Sequence, residues 1–177
     1  GNKLGLPFIQ SSDNLNNLVS EKYVVKERFG SGSNNIGLNL NYNDAVKYAK
    51  KLKNPLYQSY IAGDEFSVDA WVCKNHKVKG LVLRNRLNVI NGESQITKTF
   101  TNSKIENLMI KIVNSLKLKG PIVLQAILDK NEDIHVIECN ARFGGASTAG
   151  IAVGLDSLYW SILEVINLNI NNCPFLR

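Results

Sequence analysis

Residues 122–142, IVLQAILDKNEDIHVIECNAR, read as two strands joined by a short polar turn. Strand side chains alternate between faces, so Glu138, Asn140 and Arg142 are expected on one face. Ile137, Cys139 and Ala141 are then expected on the other face, against an apolar layer. A carboxylate, an amide and a guanidinium are costly to bury unpaired. A divalent cation and phosphates would satisfy all three. Carboxylate and amide oxygens suit Mg²⁺, which is held by few protein ligands together with substrate phosphates. A strand face open to solvent accounts for the same pattern.

A second stretch, YVVKERFGSGSNNIGLNLN at 23–41, predicts a strand over 23–26 that ends on Lys26. A Gly/Ser/Asn loop and a new strand over 36–40 follow. Glycines let backbone N–H groups curl around an anion, and a lysine adds a point charge. A dinucleotide fingerprint would need a helix after the loop. A protein kinase would place its lysine after the loop and carry an HRD motif downstream, which is lacking here. An ordinary hairpin loop also fits.

The third stretch is PLYQSYIAGDEFSVDAWV at 55–72. An apolar run passes Gln58 and Ile61 to Gly63. Alternation then resumes, with Phe66, Val68 and Ala70 on one face and Glu65, Ser67 and Asp69 on the other. The stretch reads as a hinge between two lobes, or as two strands and a turn.

In this order the three stretches resemble the ATP-grasp superfamily, most nearly the ATP-binding halves of the carbamoyl phosphate synthase large chain. The matching elements are VVKERFGSGSNNIG, LYQSYIAGDEFSVD, RNR at 84–86, GPIVLQAILD and VIECNARFGG. The resemblance covers roughly residues 6–168 and rests on order and spacing, including Gln125 thirteen residues before Glu138.

The resemblance implies an α+β, ATP-grasp fold: two lobes of antiparallel sheet plus helices, with ATP bound between them. It implies that Lys26 contacts the α- and β-phosphates. Gly30, Ser31, Gly32 and Ser33 belong to the loop, running to Gly37, that closes over the phosphates. Gln58, Ser59, Tyr60 and Ile61 form the hinge that meets adenine, and Glu65 contacts ribose or adenine. Gln125, Glu138 and Asn140 hold one or two Mg²⁺ ions, or Mn²⁺ in their place. Arg142 lies near the transferring phosphoryl group. Arg84 and Arg86 face the γ-phosphate or a substrate carboxylate. Phosphoryl transfer needs positioning and charge neutralisation more than a protein nucleophile, which suits a chain with no Ser-His-Asp or Cys-His pattern.

The implied activity is that of an ADP-forming carboxylate–amine ligase acting through an acyl phosphate. A nucleotide-binding module of the same fold without turnover is the alternative, and an α+β interaction domain is a third reading. The expected organisation is a connecting segment (1–20), a small lobe with the Gly-rich loop (21–62), a large lobe with the metal site (63–170) and a tail (171–177). The chain opens on GNKLGLPFI, about where the family's preceding domain ends. It is therefore read as a piece of a longer or split enzyme that works with that upstream domain or with a partner chain.

Composition bounds the partners. The 177 residues suffice for one compact domain in two lobes. The net charge is +6, but the lysines are dispersed and no aromatic-interleaved basic strand appears. Small-molecule carboxylate and amine substrates are expected, and neither nucleic acid nor membrane. No apolar run approaches the roughly 18 residues of a membrane helix, and no signal segment opens the sequence. Three scattered cysteines without a zinc spacing suit a reducing compartment, so a cytoplasmic location is expected.

Periodicity predicts helices over 43–53 (capped by Asn43), 103–116 (capped by Ser103) and 155–168, with a short one at 13–20. A three-stranded meander is expected over 65–101, with turns at 74–76 and at Asn91-Gly92.

Overall fold

The computed structural model describes residues 4–29, 35–90 and 92–175. The chain divides into two units. The first comprises Gly1–Asp64, Ile90–Glu93 and Ile127–His135, and the second Glu65–Val89, Ser94–Ala126 and Val136–Arg177.

The first unit is built on a four-stranded sheet. Its strands are β1 (Ser11–Ser12), β2 (Tyr23–Glu27), β3 (Gly37–Leu40) and β4 (Pro55–Ser59), in the order β1-β4-β2-β3. All three pairings are antiparallel. Tyr23 and Val25 face an apolar cluster with Leu15, Leu18, Ala45 and Ala49, which Leu40, Tyr48, Leu52 and Tyr57 complete. Ala45 and Ala49 come from α1 (Tyr42–Ala49). Asn41, not Asn43, caps this helix. Asn41 Oδ1 accepts from the Asp44 N–H at 2.9 Å and its Nδ2 donates to Asp44 Oδ2 at 2.7 Å, while Asn43 falls inside the first turn. The helix expected at 13–20 is only a 3₁₀ turn, Leu15–Asn17, capped by Asn14. Glu27 closes the return to β4 by accepting from the backbone N–H groups of Lys53 and Asn54.

A five-stranded sheet has the order β7-β6-β5-β8-β9. Its strands are β5 (Gly63–Val72), β6 (Val78–Ile90), β7 (Glu93–Phe100), β8 (Gly120–Asp129) and β9 (Ile134–Asn140). The meander forms as expected, and Gly92 takes the left-handed backbone that Asn-Gly turns require. In the turn before β6, His76 has positive φ and its N–H donates to the Cys73 carbonyl.

Helix α2 (Ser103–Ser115) buries Ile105, Met109, Ile112 and Val113 and is capped by Asn102 rather than Ser103. The helix expected at 155–168 forms as the shorter α4 (Ser157–Val165), and a further short helix that was not expected, α3 (Thr148–Ala152), precedes it. Leu155, Trp160 and Leu163 pack there with Trp71 and Val82 of the sheet. The face of β5 that carries Trp71 is therefore roofed by α4. Ser67 and Asp69 share its parity and are buried too, at 2% and 3% exposure.

Candidate functional site

In the first unit the register decides which side chains meet. Val24 lies opposite Gln58 and Lys26 opposite Leu56, whereas Val25 and Tyr57 belong to the apolar cluster. Lys26 and Gln58 are therefore diagonal neighbours on the sheet face turned away from that cluster. Gln58 is buried, and its Nε2 donates to Ser11 Oγ at 2.8 Å, directly across the β1–β4 pair. Its amide is thus partly committed to holding β1. The next two N–H groups are also engaged: Ser59 donates to the Gln10 carbonyl and Tyr60 to the Lys22 carbonyl. Ile61 follows β4 as part-buried irregular chain. Gly30, Ser31, Gly32 and Ser33 lie outside the described residues.

In the second unit a polar ladder runs along β5 and β6. Arg84 lies opposite Ser67 and Asn85 opposite Phe66, which brings Arg86 level with Glu65. Arg86 Nη1 is ion-paired with Glu65 Oε1. Arg84 Nε is paired with Asp69 Oδ2, and its Nη2 lies 3.4 Å from Asp69 Oδ1. Both arginines thus meet a carboxylate, but in different surroundings. Glu65 is exposed, whereas Arg84 and Asp69 are buried. The ladder is open at the Glu65 end and closed toward Trp71, where α4 lies over it.

Ser147 completes the closed end. Its hydroxyl donates to Asp69 Oδ1 at 2.7 Å and accepts from the Gly144 N–H at 2.9 Å. A Cβ at Gly144 would lie 3.2 Å from Val123 Cγ2 and 3.7 Å from Arg84 Nη2. The face of β8 that carries Val123, and with it Gln125 two residues on, is therefore the face that carries Arg84. Sequence reasoning did not single out Asp69 or Ser147. The available signal was an aspartate in a strand whose neighbour carries RNR.

On β9 the Asn140 Nδ2 donates to Glu138 Oε1 at 2.8 Å, so these two side chains share one face as expected. The buried residues of the strand are Ile134 and Val136, which have the same parity, and Ile137 and Cys139 are half-buried. Both faces of β9 thus carry buried or half-buried apolar side chains. Burial, and secondarily the neighbouring Glu138, pushes the Cys139 thiol up to about 11, so it stays protonated and is no nucleophile at neutral pH. Arg142 does not extend the alternation, because β9 ends at Asn140. It is exposed in the following turn, where Nη1 donates to the Phe143 carbonyl.

The donor set on β8 and β9 is oxygen-based. With Asn140 Nδ2 turned to Glu138, the Asn140 Oδ1 and the second Glu138 oxygen are the acceptors left for a hard cation, and Gln125 adds an amide oxygen. Among the described residues no group of three or more His, Cys, Asp or Glu could hold a metal by itself.

The model of the ATP-grasp domain matches residues 3–146. The chain belongs to the ATP-grasp family. The ATP-grasp fold is also that of its structural neighbours. The biotin carboxylase domain of Hydrogenobacter thermophilus 2-oxoglutarate carboxylase, in complex with MgADP, ADP and bicarbonate, superposes with a TM-score of 0.76 at 15% identity, over 96% of this chain and 44% of its own. Biotin carboxylase from Campylobacter jejuni, complexed with β,γ-ATP, gives 0.71 at 16% identity, over 92% and 43%. N5-carboxyaminoimidazole synthase from Aspergillus clavatus, in complex with ADP and an aminoimidazole ribonucleotide, gives 0.72 at 13% identity, over 98% and 51%. This ATP-grasp chain thus spans about half, or less, of the length of these structures. No curated protein matches it in sequence.

Proposed function

We propose that this ATP-grasp domain binds Mg-ATP and serves an ADP-forming ligase that activates a carboxylate. The observation that carries the reading is the Glu138–Asn140 pair. It presents oxygen donors at the end of the edge strand β9, beside β8, which carries Gln125, in a chain of this family. Glu138, Asn140 and Gln125 would hold the cation, which supplies charge neutralisation at the phosphate oxygens.

Lys26 then contributes a point charge to the phosphates, and Arg142 bonds the transferring group once it leaves the Phe143 carbonyl. The Gly-rich segment at 30–33 supplies backbone N–H groups. Ser59, Tyr60 and Ile61 line adenine, with Glu65 at the ribose or the base. In the reaction a carboxylate oxygen attacks the γ-phosphorus as the bond to the ADP oxygen breaks. An amine or other nucleophile then displaces phosphate from the acyl carbon, as in carbamoyl phosphate synthase. Bicarbonate is a natural first acid to try, since the 2-oxoglutarate carboxylase neighbour is in complex with both MgADP and bicarbonate.

Because the chain spans under half of that neighbour, a nucleotide-binding module without turnover of its own is the second reading. A cytoplasmic location and a further domain or partner chain go with either. ADP release from Mg-ATP, measured with bicarbonate and with amino acids, tests the ligase. Acid-dependent ADP release supports it, and Mg-ATP binding without any acid-dependent release favours the module.

A further inference from the structure

We infer that Asp69, Arg84 and Ser147 form a positioning clamp that sets the turn at 141–147, and through it Arg142 and the end of β9, for Mg-ATP. The inference rests on the nucleotide reading above and adds to it three residues that need not touch the ligand.

A charge pair as deeply buried as Asp69–Arg84 contributes little net stability compared with apolar residues of the same size. Its distinctive property is direction. Arg84 takes Asp69 Oδ2 with Nε and reaches Oδ1 only at 3.4 Å with Nη2, while the Ser147 hydroxyl donates to Oδ1 at 2.7 Å. A hydroxyl bonded to a charged acceptor is held more firmly than one bonded to a neutral group. Ser147 Oγ in turn accepts from the Gly144 N–H, while the Ser147 N–H donates to the Gly144 carbonyl at 3.1 Å. Gly144 and Ser147 thus grip one another from both sides. Residue 144 has little room for a side chain, because its Cβ would come within 3.2 Å of Val123 and 3.3 Å of Ser147 Oγ. Gly150 of α3 packs against the same carboxylate, its Cβ position lying 3.6 Å from Asp69 Cβ. The strands β5 and β6 therefore fix the chain immediately behind Arg142 at several points.

The test combines a ligand-free and a ligand-bound reading of Ser147→Ala, Asp69→Asn and the double variant. Amide hydrogen exchange is expected to accelerate about tenfold or more at Gly144 in Ser147→Ala, with β5 and β6 unchanged. Mg-ATP affinity is expected to fall about tenfold in each single variant, and the double variant to be no weaker than the worse single, since both cut one chain of contacts. A purely structural role would lower thermal stability and leave Mg-ATP affinity where it was. Unchanged Gly144 exchange, unchanged affinity in Ser147→Ala, or additive losses would each overturn the clamp. If the wild-type chain itself bound no Mg-ATP, the nucleotide reading would fall, and with it the clamp's role toward ligand. The exchange measurement alone would then decide whether the clamp holds the turn.

Discussion

Asn140 donates its side-chain N–H to Glu138 Oε1 at 2.8 Å, two residues back along the same strand. The bond orients the amide so that its oxygen and the second carboxylate oxygen are the acceptors left for a cation. Glu138→Ala should therefore abolish Mg²⁺-dependent nucleotide binding while the protein stays folded, because a half-buried strand-end side chain carries little of the core. Calorimetric titration alongside a thermal melt checks both halves. A variant that binds Mg-ATP as the parent does would remove Glu138 from the site.

Arg84 should behave as a buried ion-pair member. Arg84→Ala leaves Asp69 charged and unpaired, at an expected cost of about 3–5 kcal/mol. Replacing both, as Asp69→Leu with Arg84→Met, should recover a large part of that loss. Denaturant unfolding of the two variants measures the difference. A single variant as stable as the parent would contradict the pairing.

Gly63 begins β5 where a Cβ would lie 2.2 Å from the Leu128 carbonyl oxygen and 2.7 Å from Ile127 Cγ2. Backbone cannot yield as a flexible side chain does. Gly63→Ala is expected to destabilise by about 1–3 kcal/mol, a drop of roughly 2–4 °C in Tm for each kcal/mol. An unchanged melting temperature would show that the two backbones do not approach so closely.

The Asp129 carboxylate sits in the β8–β9 turn. Oδ2 meets His135 Nε2 at 2.9 Å, and Oδ1 accepts from the N–H groups of Asn131 and Asp133. Its bond to His135, and then those backbone bonds, hold the carboxyl below its ordinary 3.8. Protons therefore bind the unfolded chain more readily than the folded one. The contribution is complete above that ordinary value and is lost as pH falls through the lower folded one. Asp129→Asn should flatten the acid limb of the stability–pH curve, read as urea midpoints between about pH 2 and 6. Identical acid limbs in parent and variant would contradict the assignment.

Much of this was legible in the sequence because alternation is a local property. The meander, the β8–β9 pair and the shared face of Glu138 and Asn140 follow from period-two patterning alone. Helix caps were displaced by one or two residues, because Asn41-Tyr42-Asn43 and Asn102-Ser103 each offer two good capping side chains and only three-dimensional reach chooses. Arg142 was placed on the strand because spacing cannot tell where a ladder stops. The buried state of Asp69 was hidden for a different reason. It depends on Ser147 and Gly150 covering β5 from about eighty residues away, and no window of sequence contains both.

The most direct measurement is calorimetric titration of this chain with ATP, with and without Mg²⁺. Saturable binding is expected with Mg²⁺, weakening about tenfold or more when the metal is chelated, because oxygen donors would share a cation with the phosphates. Affinity indifferent to Mg²⁺, or no binding in either condition, would contradict the Mg-ATP reading.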